Sequence, residues 1–420
     1  MFTTRQSCRV CGSTSLTPVL SLGEQHIASN FFMSADYPPP RRRVPLELVR
    51  CSRHLDEKAC GFLQLRHTVH PDLLYSSYGY RSGINRTMTV HLQKLAAEVE
   101  AQVRPGPEDV VIDIGASDGT LLLGYQARGV AYVGFEPSNI VPPEPIPHVR
   151  FIRDYFSAAS FRAVMGNRKA RIISSVAMFY DIDRPHDFVA DIASLLHQDG
   201  VWVLELSYMP TMLEKTSFDT ICHEHLGYYS LDVLERLLEP HGLKVADAEL
   251  NDSNGGSIRL FVTHRTSGYA PRDGARARLH KLRVLEFDLK LDMDEPYVAF
   301  AERVYQVRAE LQVLLQGLKA RGKRIHGYGA STKGNVILQF CKLGPDLVEA
   351  IADRNPAKWG TRTVGSDIPI ISEDEMRAAK PDYLLVLPYH FLPEFKEREK
   401  ALTERGGQLI VPIPRPEVVA

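Results

Sequence analysis

Two histidines flank a glutamate in the HEH segment, residues 218–230, which reads FDTICHEHLGYYS. Histidine titrates near neutral pH, and an adjacent acid can orient its ring or share its proton, so His223, Glu224 and His225 are candidates for general acid–base catalysis. The histidines are two residues apart and would not share a helix face, and the H-E-x-x-H spacing is absent. We therefore expect proton transfer and not a catalytic zinc site. Residue chemistry leaves open which histidine is the base, and a packed polar loop is the structural alternative.

Four of the six cysteines lie before residue 61. Cys8 and Cys11 form a C-x2-C pair followed by glycine, as in a zinc knuckle, and Cys51 and Cys60 can complete a tetrahedral thiolate site. Four protein ligands leave no open coordination position, so this zinc ion would be structural. His54 is an alternative ligand to Cys51 or Cys60, and ordinary buried thiols are the remaining alternative.

An apolar run leads to Asp113 and a glycine turn within residues 110–122, VVIDIGASDGTLL. This pattern predicts a buried parallel strand, a tight turn and the start of a helix, with backbone N–H groups presented to a ligand. The spacing matches neither G-x-G-x-x-G nor the P-loop. Glu136 follows the next predicted strand, 23 residues after Asp113, where an acid can accept hydrogen bonds from ribose hydroxyls.

This stretch resembles the first motif of class I S-adenosylmethionine methyltransferases, and Glu136 resembles their ribose-binding acid. The resemblance implies a Rossmann-like domain with S-adenosylmethionine lying across the strand tips. Met178 follows the strand predicted at residues 171–175, whose tip should face the methyl-bearing sulfur. A generic glycine turn in an α/β domain is the alternative. The predicted cofactor contacts are Asp113, Gly115, Ser117, Asp118, Gly119, Glu136 and Met178.

A second strand, glycine turn and helix are predicted at residues 324–335, RIHGYGASTKGN, after a long helical stretch at 273–321. Further strands at 348–352, 383–387 and 408–411 complete a second Rossmann-like unit. Amides of the turn, at Ala330 and Ser331, could cradle a phosphate, with Lys333 as the counter-charge. A NAD site is the alternative, which the absence of the third glycine weakens.

The order of motifs along the chain resembles the sugar C-methyltransferases. It comprises the cysteine-rich start, YRSGINRTM at 80–88, GASDGTLL, HEHLGYYS and GGSIR at 255–259. The resemblance covers nearly the whole chain and implies methylation of a nucleotide-linked 4-keto-deoxysugar, as in the synthesis of branched antibiotic sugars. It selects His225 as the base, with Glu224 as its acidic neighbour. The family often has tyrosine where Cys222 stands, so a hydroxyl that might hold the substrate or its enolate is missing here.

The expected reaction removes a proton from carbon 3, beside the ketone, and the enolate carbon then takes the methyl group. The predicted catalytic residues are His225, Glu224, His223 and Tyr80. Predicted contacts to a TDP-linked 4-keto-deoxysugar are Tyr75, Tyr78, Arg81, Ser82, Asn85, Tyr228, Lys333, Asn335 and His390.

With 420 residues the chain should form two or three domains. We expect an α/β protein with a small zinc-binding domain at 1–75, a class I methyltransferase Rossmann-like domain at 76–265, and a second Rossmann-like domain at 266–420 that helps bind the sugar nucleotide. The net charge of −1 gives no pull toward nucleic acid or an acidic membrane.

No 18-residue apolar run and no apolar signal core occur, so a cytoplasmic monomer is expected. The alternatives in function are a zinc-ribbon Rossmann protein that binds a partner or nucleic acid, and a methyltransferase acting on another small molecule.

Overall fold

The computed structural model describes residues 2–29, 43–54, 56–75, 81–140, 142 and 145–419. Tyr78 and Tyr80 lie outside the described residues. Strands and helices alternate along most of the chain, and the predicted α/β fold class is confirmed. None of the helices in the described part combines the length and apolarity needed to cross a bilayer.

The N-terminal part is built on antiparallel strands. Its elements are β1 (Phe2–Thr4), β2 (Leu16–Gln25), β3 (Val44–Cys51), β4 (Leu63–Leu65), β5 (His67–Val69) and α1 (Pro71–Tyr75). Strands β2, β3 and β4 pair in sequence, and β1 pairs with β5. The metal-binding motif and this sheet therefore lie side by side, with Cys51 at the end of β3.

A seven-stranded sheet forms the central part. Its elements are α2 (Arg86–Val103), β6 (Val110–Ile114), β7 (Ala131–Phe135), β8 (Val149–Ile152), α3 (Ala158–Met165), β9 (Ala170–Val176), α4 (Pro185–Leu195), β10 (Leu196–Ser207), α5 (Met209–Glu214), β11 (Gly227–Tyr228), α6 (Leu231–Leu238), β12 (Leu243–Asn251) and β13 (Ser257–His264). The strand order is β12-β13-β10-β9-β6-β7-β8, and only β13 runs antiparallel to its neighbours. The order reverses between β6 and β9, which is where doubly wound sheets bind ligands.

The helix predicted after the first glycine turn does not form beyond a 3-10 turn at Leu122–Gly124. Helix α2 packs directly on this segment: a Cβ at Gly124 would lie 2.7 Å from the Ala96 Cβ and 2.9 Å from the Gln93 Cα. Because the two backbones approach this closely, the chain turns away and Tyr125 is already extended.

Strand β11 lies within the HEH segment and joins the N-terminal sheet, not the central one. It pairs with β4, and the Leu65 N–H donates to the Leu226 carbonyl at 2.9 Å. Gly227 is required at this crossing, because a Cβ there would lie 2.6 Å from the Phe62 ring. The backbone directly after His225 is thus fixed by the N-terminal sheet.

The C-terminal part contains the second Rossmann-like sheet, with the order β16-β15-β14-β17-β18-β19. Its elements are α7 (Ala275–Asp288), α8 (Glu295–Ala320), β14 (Ile325–Tyr328), α9 (Thr332–Phe340), β15 (Ile351–Ala352), β16 (Ile370–Ile371), α10 (Glu373–Ala379), β17 (Tyr383–Val386), α11 (Leu392–Arg398), α12 (Lys400–Glu404), β18 (Gln408–Val411) and β19 (Glu417–Val419). A hydrophobic core is shared by all three parts; it includes Leu46 of β3, Phe218 of the HEH segment, Val304 of α8 and Val336 of α9.

A buried ion pair joins two strands of the central sheet. Arg259 of the GGSIR motif donates to Glu205 at 2.6 Å, and the same carboxylate contacts His91 of α2 at 2.5 Å. Burial raises the pKa of Glu205, but His91 and Arg259 outweigh it and the pKa is lowered overall. Arg259 of GGSIR therefore neutralises a buried charge and helps fix α2 to the sheet.

Arg259→Met should lower the free energy of unfolding by about 3 kcal/mol, because it leaves a buried carboxylate without its cationic partner. Urea unfolding followed by fluorescence of Trp202, buried on the same strand as Glu205, measures this. Arg184→Ala is the matched control: its ion pair with Asp187 is exposed and should contribute about 0–1 kcal/mol. Equal losses in both variants would contradict a special role for Arg259.

Candidate active site and metal centre

The four N-terminal cysteine sulfurs converge on one point. All four Sγ atoms lie within 4.8 Å of one another, and the Cys8–Cys60 and Cys11–Cys51 pairs are each 3.4 Å apart. A tetrahedral site with Zn–S bonds of about 2.3 Å has sulfur–sulfur edges of about 3.8 Å, so this cluster fits zinc. His54 is exposed and outside the cluster, which decides between the two ligand sets.

The residues between Cys8 and Cys11 attach the metal centre to the central part. Arg9 is buried and donates to Asp183 at 3.0 Å, and also to Gln64 and the Leu65 carbonyl of β4. The Val10 carbonyl accepts a hydrogen bond from His186 Nε2. The metal-binding knuckle thus holds the loop that follows β9 and the first turn of α4.

Asp113 lies one residue before the end of β6, in the reversal region of the sheet, where the Ser174 hydroxyl donates to it at 2.7 Å. Burial raises the pKa of Asp113 to about 7, and the nearby Glu136 adds to the effect. Gly115 follows with φ +74°, and a Cβ there would lie 3.2 Å from the Cγ of Met178. The turn after β6 and the segment after β9 therefore approach each other closely at Gly115 and Met178.

Glu136 bridges the turns after β6 and β7. Its two carboxylate oxygens accept from the N–H groups of Ser117 and Ser138, both at 2.9 Å. A carboxylate has about four lone-pair sites, so it retains acceptor capacity for a pair of ribose hydroxyls. The buried position and the acceptor chemistry of Glu136 fit the predicted cofactor contact.

Asp118 and Gly119 serve the shape of the turn. Asp118 accepts from the Gly83 N–H at 2.9 Å and from the Thr120 hydroxyl at 2.5 Å, so it ties the turn to the segment before α2. Gly119 has φ +81°, and a Cβ there would lie 2.6 Å from Ile146. These contacts occupy Asp118 within the chain itself.

His225 has a fixed tautomer. Its Nδ1 lies 2.7 Å from the Thr220 carbonyl, which can only accept, so Nδ1 carries the proton and Nε2 keeps its lone pair. The ring packs on Tyr180 with the centroids 4.2 Å apart. Burial lowers the pKa of His225 to about 4, and nearby Lys333 contributes, so the imidazole is neutral at pH 7.

His223 makes its hydrogen bond to the N-terminal sheet. It is buried, its Nε2 donates to the Val44 carbonyl of β3 at 3.1 Å, and burial lowers its pKa. The two histidines, indistinguishable by spacing, therefore have different surroundings: His225 is half-buried and His223 is held by the N-terminal sheet.

Several acidic groups surround His225. Both carboxylate oxygens of Glu224 and the Oδ1 of Asp181 are buried and have no hydrogen-bond partner in the described part of the chain. Burial raises the pKa of the Cys222 thiol and of the Tyr228 hydroxyl. The nearby carboxyl groups of Glu224 and Asp181 raise both pKa values further. Tyr180 and Asp181 were not among the predicted site residues, although both lie in the 3-10 turn that begins after Met178.

The substrate contacts predicted before α2 have structural surroundings of their own. Asn85 is the N-cap of α2, and its side chain accepts from the N–H groups of Thr87 and Met88. Arg81 is exposed and Ser82 is half-buried. Tyr75 ends α1, and its hydroxyl lowers the pKa of Asp181 against the effect of burial.

Lys333 lies where the central and C-terminal parts meet. Its Nζ donates to the Asn254 carbonyl at 2.7 Å, next to the GGSIR motif. Burial lowers the pKa of His390 to about 3, with a further contribution from Lys333. Lys333 also lowers the pKa of His225, so Lys333, His390 and His225 lie near one another.

Two groups predicted to contact a ligand in the C-terminal part make hydrogen bonds within the chain. Asn335 is buried, and its Nδ2 donates to the Ala28 carbonyl at 2.9 Å, whereas its Oδ1 has no hydrogen-bond partner among the described residues. The Ala330 amide, expected to cradle a phosphate, donates instead to Asp353 at 2.8 Å. In both cases an N–H group donates to an oxygen atom elsewhere in the chain.

Three family models match successive parts of the chain. The model described as "Putative zinc binding domain" matches residues 8–75, "Methyltransferase domain" matches 80–248, and "C-methyltransferase C-terminal domain" matches 252–414. The C-methyltransferase NovU of Streptomyces niveus is 32% identical over 415 residues, which is 98% of this chain and 96% of that protein.

Solved structures with detectable similarity include magnesium protoporphyrin IX methyltransferase of Synechocystis PCC 6803 with bound SAH. It is 15% identical, covers 43% of this chain and 87% of its own, and has a TM-score of 0.33. The CcbJ methyltransferase of Streptomyces caelestis is 12% identical, covers 40% and 88%, and has a TM-score of 0.30.

The two predicted cofactors agree with these matches. The model over residues 8–75 and the cysteine cluster confirm the zinc-binding part. The methyltransferase model over 80–248 supports S-adenosylmethionine as the second cofactor.

Cys51→Ser should remove zinc and reduce stability, because the cluster then has three thiolates and the end of β3 loses its anchor. Elemental analysis of purified protein should give one zinc per chain for the wild type and well under one for the variant. Cys341→Ala is the control: this cysteine is buried in the C-terminal part, outside the cluster, and its removal should leave zinc bound. Zinc-free wild-type protein with a native fold would contradict the assignment.

Glu136→Ala should weaken S-adenosylmethionine binding about 5- to 150-fold, which corresponds to about 1–3 kcal/mol for a lost hydrogen-bond partner. Isothermal titration calorimetry measures the change. Asp118→Asn is the comparison, because that side chain contacts Gly83 and Thr120 and should affect affinity less. Unchanged affinity in Glu136→Ala would reject the ribose contact.

Proposed function

Because the chain belongs to the C-methyltransferase family, we propose that it transfers a methyl group from S-adenosylmethionine to carbon 3 of a TDP-linked 4-keto-deoxysugar. The observation that carries this proposal is the state of His225. A neutral imidazole with its Nδ1–H donated to Thr220 keeps the Nε2 lone pair, which can act as a base. Such a base is required to form an enolate beside a ketone.

In the proposed reaction, Nε2 of His225 takes the proton from carbon 3, and the released electron pair forms the enolate. S-adenosylmethionine, when bound, supplies a methyl group made electrophilic by its positively charged sulfur. Glu136 would hold the ribose, and the glycine turn after Asp113 would let the cofactor approach the backbone. Holding the carbanion and the methyl group in one cleft supplies much of the remaining rate.

The sugar nucleotide would lie between the central and C-terminal parts. The Lys333 ammonium uses one N–H on Asn254, which leaves two donors for a diphosphate. His390, neutral because its pKa is lowered, can add a hydrogen bond. We accordingly assign zinc binding to residues 1–75, cofactor binding to 76–265 and help in substrate binding to 266–420. A pathway to branched antibiotic sugars is the corresponding biological role.

His225→Asn should retain the fold and S-adenosylmethionine binding while losing about 10²–10⁴-fold in turnover, because the base is absent. Mass spectrometry of a TDP-4-keto-deoxysugar incubated with enzyme and cofactor measures turnover as the gain of one CH₂ unit. The exposed His54→Asn is the control and should behave as wild type.

Two results would count against this function. Loss of turnover in His223→Asn, with normal turnover in His225→Asn, would mean that the base is misassigned. No mass gain with any 4-keto-deoxysugar nucleotide, while another small molecule is methylated, would reject the substrate class.

A further inference from the structure

Asp181 is a second ionisable group in the segment that packs on His225. We propose that the carboxyl group of Asp181, in its protonated form, donates a hydrogen bond to the ketone oxygen while His225 removes the neighbouring proton. This inference rests on the proposed function, since it names the group that stabilises the enolate formed there.

The position of Asp181 carries the proposal. It ends the 3-10 turn Phe179–Asp181, at the tip of β9, and its neighbour Tyr180 contacts the His225 ring at 4.2 Å between centroids. Its Oδ1 is buried without a hydrogen-bond partner among the described residues, although the residue as a whole is only half-buried. Tyr75 is the hydrogen-bonding side chain close to this carboxyl group, and a buried polar atom that remains without a partner can be satisfied by a bound ligand.

The surroundings of Asp181 favour a neutral carboxyl group. Glu224 is the nearby carboxylate and, like Asp181, has buried oxygens without partners. Burial raises the pKa of Asp181 well above its ordinary value, Glu224 raises it further, and the Tyr75 hydroxyl opposes both. The other titratable groups facing this cluster are the thiol of Cys222, the hydroxyl of Tyr228 and the imidazole of His225.

The two groups are complementary. His225, with its pKa lowered to about 4, is a neutral base, and the raised pKa of Asp181 favours its neutral, hydrogen-bond-donating form. A protonated aspartate in an apolar site is a known way to stabilise an enolate oxygen.

The proton and electron balance closes without a further reactant. The carbon 3–hydrogen bond breaks, the proton goes to His225 Nε2, and the bonding pair forms the carbon–carbon double bond of the enolate. The carbonyl π pair moves to oxygen, where it accepts the Asp181 hydrogen bond. The pair on oxygen then re-forms the carbonyl π bond, while the carbon–carbon π pair forms the bond from carbon 3 to the methyl group. The pair of the broken C–S bond stays on sulfur. Asp181 keeps its proton throughout.

The test is exchange of the carbon 3 proton with D₂O, followed by NMR with the 4-keto-deoxysugar nucleotide and S-adenosylhomocysteine, so that no methyl transfer occurs. Asp181→Ala should slow exchange about 10²–10³-fold, as expected when an oxyanion donor is removed. Asp181→Asn keeps a donor and should remain within about tenfold of the wild type. Asp187→Asn, an exposed neighbour on α4, is the control. Binding of S-adenosylhomocysteine verifies the fold of each variant.

The pH profile distinguishes donation from a structural role. In the wild type, exchange should fall at alkaline pH as Asp181 loses its proton, and this fall should be absent in Asp181→Asn. Exchange in Asp181→Ala within twofold of the wild type would overturn the role of Asp181, as would equal losses in the alanine and asparagine variants. No exchange in the wild type would instead reject the proposed enolate chemistry.

Discussion

The pairing of β11 with β4 is the constraint on which the rest of the site depends. It fixes the backbone directly after His225 to a strand that starts close behind Cys60. The N-terminal sheet is small, and small units gain much of their stability from a metal or another cross-link. Zinc bound at the thiolate cluster would therefore also stabilise the segment that holds the proposed base, through the hydrogen bonds between β4 and β11. The metal supports the site without touching it.

Burial of charge is handled in two ways in the central part. Glu205 is surrounded by cationic and amide donors, which holds it ionised and binds α2 to the sheet. Asp181 and Glu224 are buried with oxygens that the described residues leave without hydrogen bonds. Satisfied charge of the first kind stabilises the scaffold, whereas unsatisfied groups of the second kind raise its energy and are the groups that the proposed ligand site uses.

Local patterns predicted the fold class, the cysteine cluster and the strand–turn at Asp113, because each depends on residues close in sequence or on a chemistry with few alternatives. Tertiary contacts decided the rest. His225 and His223 cannot be distinguished by their spacing in the sequence, but their hydrogen bonds to the carbonyls of Thr220 and Val44 distinguish them. Asn335 has a polar side chain suited to a ligand, yet the Ala28 carbonyl uses it. Asp181 carries no motif, so only its packed surroundings distinguish it.

The origin of β11 also limits how this protein can be taken apart. A sheet whose outer strand comes from far along the chain is not a detachable module, even though its cysteines and most of its strands are contiguous. Recombination that exchanged the zinc-binding part between relatives would have to bring the matching HEH segment, or accept a mismatched edge at Phe62 and Gly227. The metal-binding part and the HEH segment are therefore expected to be inherited, and engineered, as one unit.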